Sequence, residues 1–195
     1  DSVGLLKSRA LVEALKRINP RVKFTYSKEK VLPETEAFFK NTHIDLLADT
    51  VDNNKTRALL NYFSQKYSIP FISGGTRYNS GQAIVSVPGK TACLNCQADI
   101  DRLALEGFVP HQSCIYAPQP SVINSNQTIA GLMSGESRTI FHPEIYGEPA
   151  HFTLKYVSGE QFRLAALPAQ PGCECHNDSE RLNAWMGTMR HLYQE

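Results

Sequence analysis

Apolar and polar residues follow each other along this chain in blocks whose period switches between that of a helix and that of a strand. Apolar residues three or four positions apart predict helices, and short continuous or alternating apolar runs predict strands. The first third of the chain therefore predicts helix, strand, helix, strand, helix, strand at residues 5–19, 21–26, 34–41, 45–53, 54–67 and 69–73. The alternation predicts an α/β fold with right-handed crossovers and a mostly parallel sheet flanked by helices.

The remaining two thirds are patterned differently. Gly74-Gly75 is predicted to end the strand before it, and residues 81–89 predict a further strand that closes in a Pro-Gly turn. Residues 97–119 predict weak organisation, with a short helix near 101–106, and a long irregular segment of this kind is usually functional or mobile. Further predictions are a helix at 121–134 with an unusually polar start, a hairpin at 151–167 and a closing helix at 178–193.

Composition narrows the functional classes. The 195 residues carry a formal net charge of +1, which gives no electrostatic case for binding nucleic acid or an anionic membrane. No apolar stretch is long enough to span a bilayer and no signal peptide is recognisable, which favours a cytoplasmic protein. The length fits one domain, 1–195. Because the chain starts at Asp1 and enters a helix at once, we expect it to be the later part of a longer polypeptide.

The acidic end of the stretch at residues 45–53 is the first candidate site. In open α/β sheets ligands bind at the carboxyl ends of the strands, and a carboxylate there can hold Mg²⁺ against nucleotide phosphates. Asp52 is the predicted carboxylate. The alternative is that Asp52 or Asn53 caps the following helix, which both residue types do well.

Lys7 is the second candidate, because a cation in the first turn of a helix opposes the helix dipole. A bound phosphate would explain its position, and a solvated surface lysine is the alternative.

The cysteines predict a metal site. Cys93-x-x-Cys96 and Cys173-x-Cys175 together supply four thiolates, the ligand set of a closed structural zinc site. His176 adjoins the second pair, so a Cys₃His site is an alternative. A redox pair at Cys93 and Cys96, or unrelated buried thiols, are further alternatives. A redox pair should open a helix directly after a strand, and it would leave the second pair unexplained.

Taken together, these features resemble the later part of the ThiF/MoeB/E1-like family of adenylating enzymes. Their order and separation along the chain make the resemblance specific. The matching elements are Val3-Gly4-Leu5-Leu6-Lys7, Asp49-Thr50-Val51-Asp52-Asn53 with Arg57 beyond it, the block from Gly81-Gln82 through Pro88-Gly89-Lys90-Thr91 to Cys93 and Cys96, and Ser113-Cys114.

The resemblance implies a Rossmann-like portion over residues 1–91, with the crossover loop, zinc site, hairpin and closing helix in 92–195. It implies that Asp52, with Asn53 and Arg57 in the same motif, binds Mg-ATP and that Lys7 contacts the phosphates. It also implies zinc on the four cysteines and a crossover loop at 97–119 over the incoming substrate tail. Family members often pair, and a homodimer is expected here.

Cys114 is a further candidate for the chemistry. In some relatives the matching cysteine takes part in sulfur or acyl transfer, and in others it is dispensable. His111 is its only nearby partner in sequence, so a catalytic role and a spectator role both stay open.

The leading hypothesis is a fragment of an ATP-dependent adenylyltransferase acting on the C-terminus of a ubiquitin-like or sulfur-carrier protein or of a peptide. The glycine-rich first half of the family's nucleotide site is absent from these residues, so the fragment alone is expected to be inactive. A non-catalytic E1-like partner subunit and a CxxC redox protein are the two alternatives.

Overall fold

The structure is a computed structural model, and it describes residues 3–106, 121–149, 152–157, 163–166, 170, 173, 183–187, 190 and 193. The chain divides into two compact units, residues 1–31 and residues 32–195. The functional division at residue 91 stays a prediction. In the described part of the chain, no helix combines the length and the apolar character needed to cross a membrane.

The first unit contains α1, Lys7–Ile18, which confirms the predicted helix. Arg9 and Glu13 form an ion pair one turn apart on its exposed surface. The strand predicted at residues 21–26 is wrong, since the segment begins in a turn at residues 21 and 22 and joins no sheet among the described residues. Val22 and Tyr26 are 45% and 49% exposed. Alternation of apolar residues describes side chains only, and a strand also needs a hydrogen-bonded neighbour.

The second unit is built on a five-stranded sheet in the order β1-β2-β3-β4-β5. The prediction of a mostly parallel sheet is wrong. Only β1 and β2 are parallel, and the other three pairings are antiparallel. A short hairpin joins β2 to β3, and parallel neighbours would need a longer crossover. The strands are β1 Leu47–Asp49, β2 Phe71–Arg77, β3 Ser80–Ser86, β4 Phe152–Val157 and β5 Arg163–Ala166.

Helices flank this sheet. A short 3₁₀ turn, Pro33–Thr35, precedes α2, and α4 and α5 occupy the first part of the segment predicted to be weakly organised. Residues 183–187 are also helical, within the predicted closing helix. The helices are α2 Glu36–Asn41, α3 Asn54–Lys66, α4 Leu94–Ala98, α5 Ile100–Leu105, α6 Ile123–Phe141 and α7 Pro143–Tyr146.

The prediction that Gly74 and Gly75 end the strand is wrong, because both residues lie inside β2. Their small size serves packing, because α6 lies directly on β2 and β3. A Cβ added at Gly74 would lie 2.2 Å from Sδ of Met133 on α6. A glycine inside a strand commonly marks such a close approach.

The core of this unit surrounds α3, whose residues 58–65 are all buried. The Phe63 ring stacks on Phe39 of α2 with centroids 4.3 Å apart. On the same helix, Tyr62 stacks on Trp185 with centroids 4.7 Å apart. Since α3 begins directly after β1, this packing fixes the turn between them, where the candidate acid lies.

Candidate active site and cysteine cluster

A cavity of about 490 Å³ opens where β1 and β2 end and α6 begins. Its wall combines the turn between β1 and α3, the glycines of β2 and one face of α6. The lining residues are Thr50, Val51, Asp52, Arg57, Gly74, Gly75, Thr76, Ser121, Asn126, Ile129, Ala130 and Met133.

Asp49 is the structural anchor beside this cavity. Only 1% of its surface is exposed. Its Oδ1 accepts a hydrogen bond from the backbone N–H of Val51 at 2.8 Å, and its Oδ2 accepts from Arg57 Nε and Ser73 Oγ, each at 2.8 Å. A carboxylate with these partners is fully used in holding β1, β2 and α3 together. The sequence marks Asp49 only by its place in the motif of residues 49–53.

Arg57 reaches the cavity wall from the first turns of α3. Its side chain is 17% exposed, and the guanidinium also donates to the carbonyl oxygens of Val51 at 2.5 Å and Gly74 at 3.4 Å. Nε and one terminal nitrogen are thus committed to the protein. A role in nucleotide binding for Arg57 stays a prediction.

The sequence predicts two roles for this turn, capping of the following helix and binding of a cation. The Asn53 side chain caps α3 by accepting from the backbone N–H of Thr56 at 2.8 Å. Asp52 is exposed, lines the cavity and accepts a hydrogen bond of 3.4 Å from Asn53 Nδ2. Since Asn53 does the capping, the Asp52 carboxylate is available to a cation. Its role in binding Mg²⁺ is not tested by this geometry.

A polar cluster missed by the sequence analysis lies on the same cavity. The hydroxyls of Thr76 and Ser121 both donate to Oδ1 of Asn126 at 2.6 Å, and the two hydroxyl oxygens are 2.8 Å apart. The unusually polar start of α6 was the available signal. Sequence alone did not show that β2 brings Thr76 to it.

Lys7 is the first residue of α1 in the unit of residues 1–31, and it is exposed. Its role at the phosphates stays a prediction. Cys114, His111 and the rest of residues 107–120 lie outside the described residues. The crossover role of that segment therefore also stays a prediction.

Three of the predicted zinc ligands meet in space. The sulfurs of Cys93, Cys96 and Cys173 all lie within 4.8 Å of one another, and those of Cys93 and Cys173 are 3.3 Å apart. Two thiolates on one tetrahedral zinc, each about 2.3 Å from the metal, lie roughly 3.8 Å apart, so the three sulfurs are close enough to share one ion after a small outward shift of Cys93 and Cys173. Cys175 and His176 lie outside the described residues, which leaves the fourth ligand a prediction.

The local backbone favours a metal site over a redox pair. Cys93 precedes α4 and Cys96 lies within it, but β3 ends at Ser86, so the helix does not directly follow the strand. The backbone N–H of Gln170 donates to Cys96 Sγ at 3.1 Å. A third buried sulfur and an N–H donor suit thiolates held around a cation.

Comparisons with known proteins identify the family of the chain. The model of the ThiF family matches residues 1–175. Molybdopterin-synthase adenylyltransferase of Salmonella typhimurium is 28% identical over 177 residues, which cover 89% of this chain and 66% of that protein. Sulfur carrier protein ThiS adenylyltransferase of Bacillus subtilis is 32% identical over 112 residues, 57% of this chain and 32% of that protein.

A solved structure supports the fold. A crystal structure of E. coli MccB with ATP superimposes with a TM-score of 0.67 at 19% identity, covering 88% of this chain and 50% of the MccB chain. Identity this low supports the fold alone. The chain therefore spans no more than 66% of the length of any of these three proteins.

Proposed function

Because the chain belongs to the ThiF family, we propose that it is part of an enzyme that uses ATP to adenylate the C-terminal carboxylate of a ubiquitin-like or sulfur-carrier protein or of a peptide. A carboxylate oxygen of the substrate attacks the α-phosphorus of ATP and forms a new P–O bond. The bond to the bridging oxygen breaks, and pyrophosphate leaves with the electron pair. The substrate carboxylate is already ionised at neutral pH, so no general base is needed.

One observation carries this proposal. Asp52 is exposed on a cavity at the ends of two neighbouring strands, and the residue that caps α3 is Asn53 and not Asp52. An attacking carboxylate and a triphosphate are both anions, so the site must neutralise charge while it aligns them. Mg²⁺ would be held at Asp52 and would supply that neutralisation.

The remaining residues take supporting roles. Asn53 fixes the turn in which Asp52 lies, and Arg57 adds positive charge to the cavity wall while it binds Asp49. Lys7 contacts the phosphates in the assembled enzyme. A catalytic role for Cys114 stays a prediction.

Zinc has a structural task in this proposal. Cys93, Cys96, Cys173 and Cys175 hold it, and a four-thiolate site leaves no coordination position for catalysis. The described cysteines come from α4 and from residue 173, 80 positions apart in sequence. The ion would therefore join residue 173 to α4 within the unit of residues 32–195.

The chain spans no more than 66% of the length of the three related proteins described above. We propose that the complete ATP site includes residues outside this sequence, that the enzyme is cytoplasmic and that it is a homodimer. The related proteins include an adenylyltransferase of a sulfur carrier and an MccB crystallised with ATP. Those names give the substrate class and the nucleotide proposed here.

ATP–pyrophosphate exchange by the full-length protein tests the proposal. Asp52→Ala should lower the exchange rate by about 100-fold or more, because the metal loses its protein carboxylate. Asp45→Ala is the matched control, since Asp45 is an exposed acid paired only with exposed His43 among the described residues. Exchange that requires a partner protein and is unaffected by Asp52→Ala would instead support a non-catalytic subunit.

A further inference from the structure

Asn126 lies at the edge of the cavity that contains Asp52, and its side chain is exposed. It is in the first turn of α6, and its Oδ1 accepts hydrogen bonds from both Thr76 and Ser121. Because a side-chain amide has its oxygen and nitrogen on opposite arms, engaging Oδ1 turns Nδ2 away from the two hydroxyls.

The two hydroxyls are themselves well positioned. The backbone N–H of Val122 donates to the carbonyl oxygen of Tyr78 at 3.2 Å, and Ser125 Oγ donates to the same oxygen at 3.1 Å. These bonds fix the start of α6 against the end of β2. Thr76 and Ser121 therefore meet at a joint between two regular elements.

Asn126 Nδ2 carries two N–H groups, and neither has a hydrogen-bond acceptor among the residues that the structure describes. The charged donor on the same cavity is differently placed. Arg57 gives its Nε to Asp49 and one terminal nitrogen to backbone carbonyls. The wall thus presents an oriented, neutral donor beside an arginine that is largely committed to the fold.

We propose that Asn126 Nδ2 binds the C-terminal carboxylate of the acyl substrate, with Thr76 and Ser121 as the residues that position it. The inference rests on the proposed function and deepens it. A neutral N–H donor can orient one carboxylate oxygen and leave the other free to attack the α-phosphorus. A bidentate arginine would engage both oxygens and lower the nucleophilicity of each.

The apolar part of the cavity agrees with this role. Ile129 and Met133 of α6 line the wall beyond Asn126. Such side chains suit the carbon atoms of a peptide tail, and they hold no group that would bind phosphate.

The experiment measures binding of N-acetylglycylglycine, a small peptide with a free carboxylate, to the full-length protein. Ligand-observed NMR in the presence of Mg²⁺ and a non-hydrolysable ATP analogue gives the affinity. Asn126→Ala and Asn126→Asp should each weaken the peptide about tenfold, because both remove the N–H donor. The neighbouring Gln127→Ala should bind as the unmodified protein does.

The positioning residues have their own readout. The double variant Thr76→Val, Ser121→Ala should weaken the peptide several-fold, while the affinity for the ATP analogue and the free energy of unfolding stay unchanged. Replacing the peptide carboxylate by a carboxamide should abolish the difference between Asn126 and its variants.

Three results would overturn the inference: no binding of the peptide to the unmodified protein, Asn126→Asp binding as tightly as Asn126, or an equal loss of peptide and ATP analogue. The proposed function fails separately, and takes this inference with it, when the protein does not bind the Mg²⁺-loaded analogue or when Asp52→Ala leaves exchange intact. If ATP–pyrophosphate exchange is normal and the Asn126 variants bind the peptide as tightly as the unmodified protein, only the inference about Asn126 is rejected.

Discussion

Arg57 Nε donates to Oδ2 of the buried Asp49 at 2.8 Å, and this pair joins the first turns of α3 to the end of β1. The two acids of the Asp49-x-x-Asp52 motif therefore differ in kind. Asp49 is enclosed by donors from three segments, and Asp52 is exposed to the cavity. One acid holds the site together, and the other is left for a ligand.

Asp49→Ala should lower the free energy of unfolding by about 3 kcal/mol, because it leaves the Arg57 charge and two further donors without their buried acceptor. Urea unfolding measures the change. Asp45→Ala, at an exposed acid, should change the same quantity by less than about 0.5 kcal/mol. Equal effects of the two variants would contradict the structural role given to Asp49.

The contrast between Gly74 and Gly81 gives a second prediction. A Cβ at Gly74 meets the flexible Met133 side chain, whereas a Cβ at Gly81 lies 2.5 Å from Ile129 Cγ1 and 2.9 Å from the Gly75 carbonyl oxygen. Gly74→Ala should cost about 1–3 kcal/mol, and Met133→Ala in the same chain should recover part of it. Gly81→Ala should not be rescued by Met133→Ala.

The control for this pair is Gly135→Ala on α6, where a Cβ would meet nothing within 4 Å. Alanine should stabilise the helix there by up to about 1 kcal/mol. Thermal unfolding of these variants, and of Met133→Ala alone, measures the changes. A destabilised Gly135→Ala, or a Gly74→Ala that Met133→Ala makes no better, would show that α6 does not pack on β2 in this way.

These glycines also show what the sequence could and could not predict. Helical periodicity identified α1 and α3, and alternation with a turn identified the β4–β5 hairpin, since both signals are local. Gly74 has the same local signal as a strand-ending glycine. Only the distant Met133 explains why the strand continues through it.

The candidate site likewise contains some residues that the sequence predicts and some that it does not. Asp52, Asn53 and the cysteines are marked by short spacings and were identified as candidates from sequence. The bonds from Thr76 to residues 121 and 126 span 45 and 50 positions, and no local pattern encodes them. The prediction of a mostly parallel sheet is wrong for a related reason, because periodicity does not reveal which strands become neighbours.

Stability in acid should depend on Glu36. Burial raises the pKa of its carboxyl, but hydrogen bonds from Lys66 and Tyr67 outweigh that effect and leave the pKa below its usual value of 4.5. As pH falls the unfolded chain takes up this proton first. The contribution of Glu36 is therefore present above about pH 4.5 and is lost as pH falls through the lowered pKa.

Glu36→Gln should flatten the dependence of the free energy of unfolding on pH below about 4.5, and Glu34→Gln, an exposed neighbour, should leave it unchanged. Urea unfolding at a series of pH values from 3 to 6 measures both slopes. The same slope in Glu36→Gln and the unmodified protein would show that the bond of 2.6 Å from Lys66 to Glu36 contributes nothing in solution.

The cysteine cluster predicts one zinc per chain that is needed for folding. If the cluster binds zinc, Cys96→Ser should abolish it and lower Tm by about 10 °C, because the ion would join α4 to residue 173 and its binding free energy would contribute to folding. Zinc content by atomic emission and Tm by calorimetry are the measurements. Cys114→Ser is the control and should keep both values.

A matched pair of variants identifies the fourth ligand, since Cys175→Ser should lose zinc and His176→Ala should retain it. The opposite pattern would assign a Cys₃His site, and a zinc-free protein in which all five thiols titrate would reject the metal site altogether.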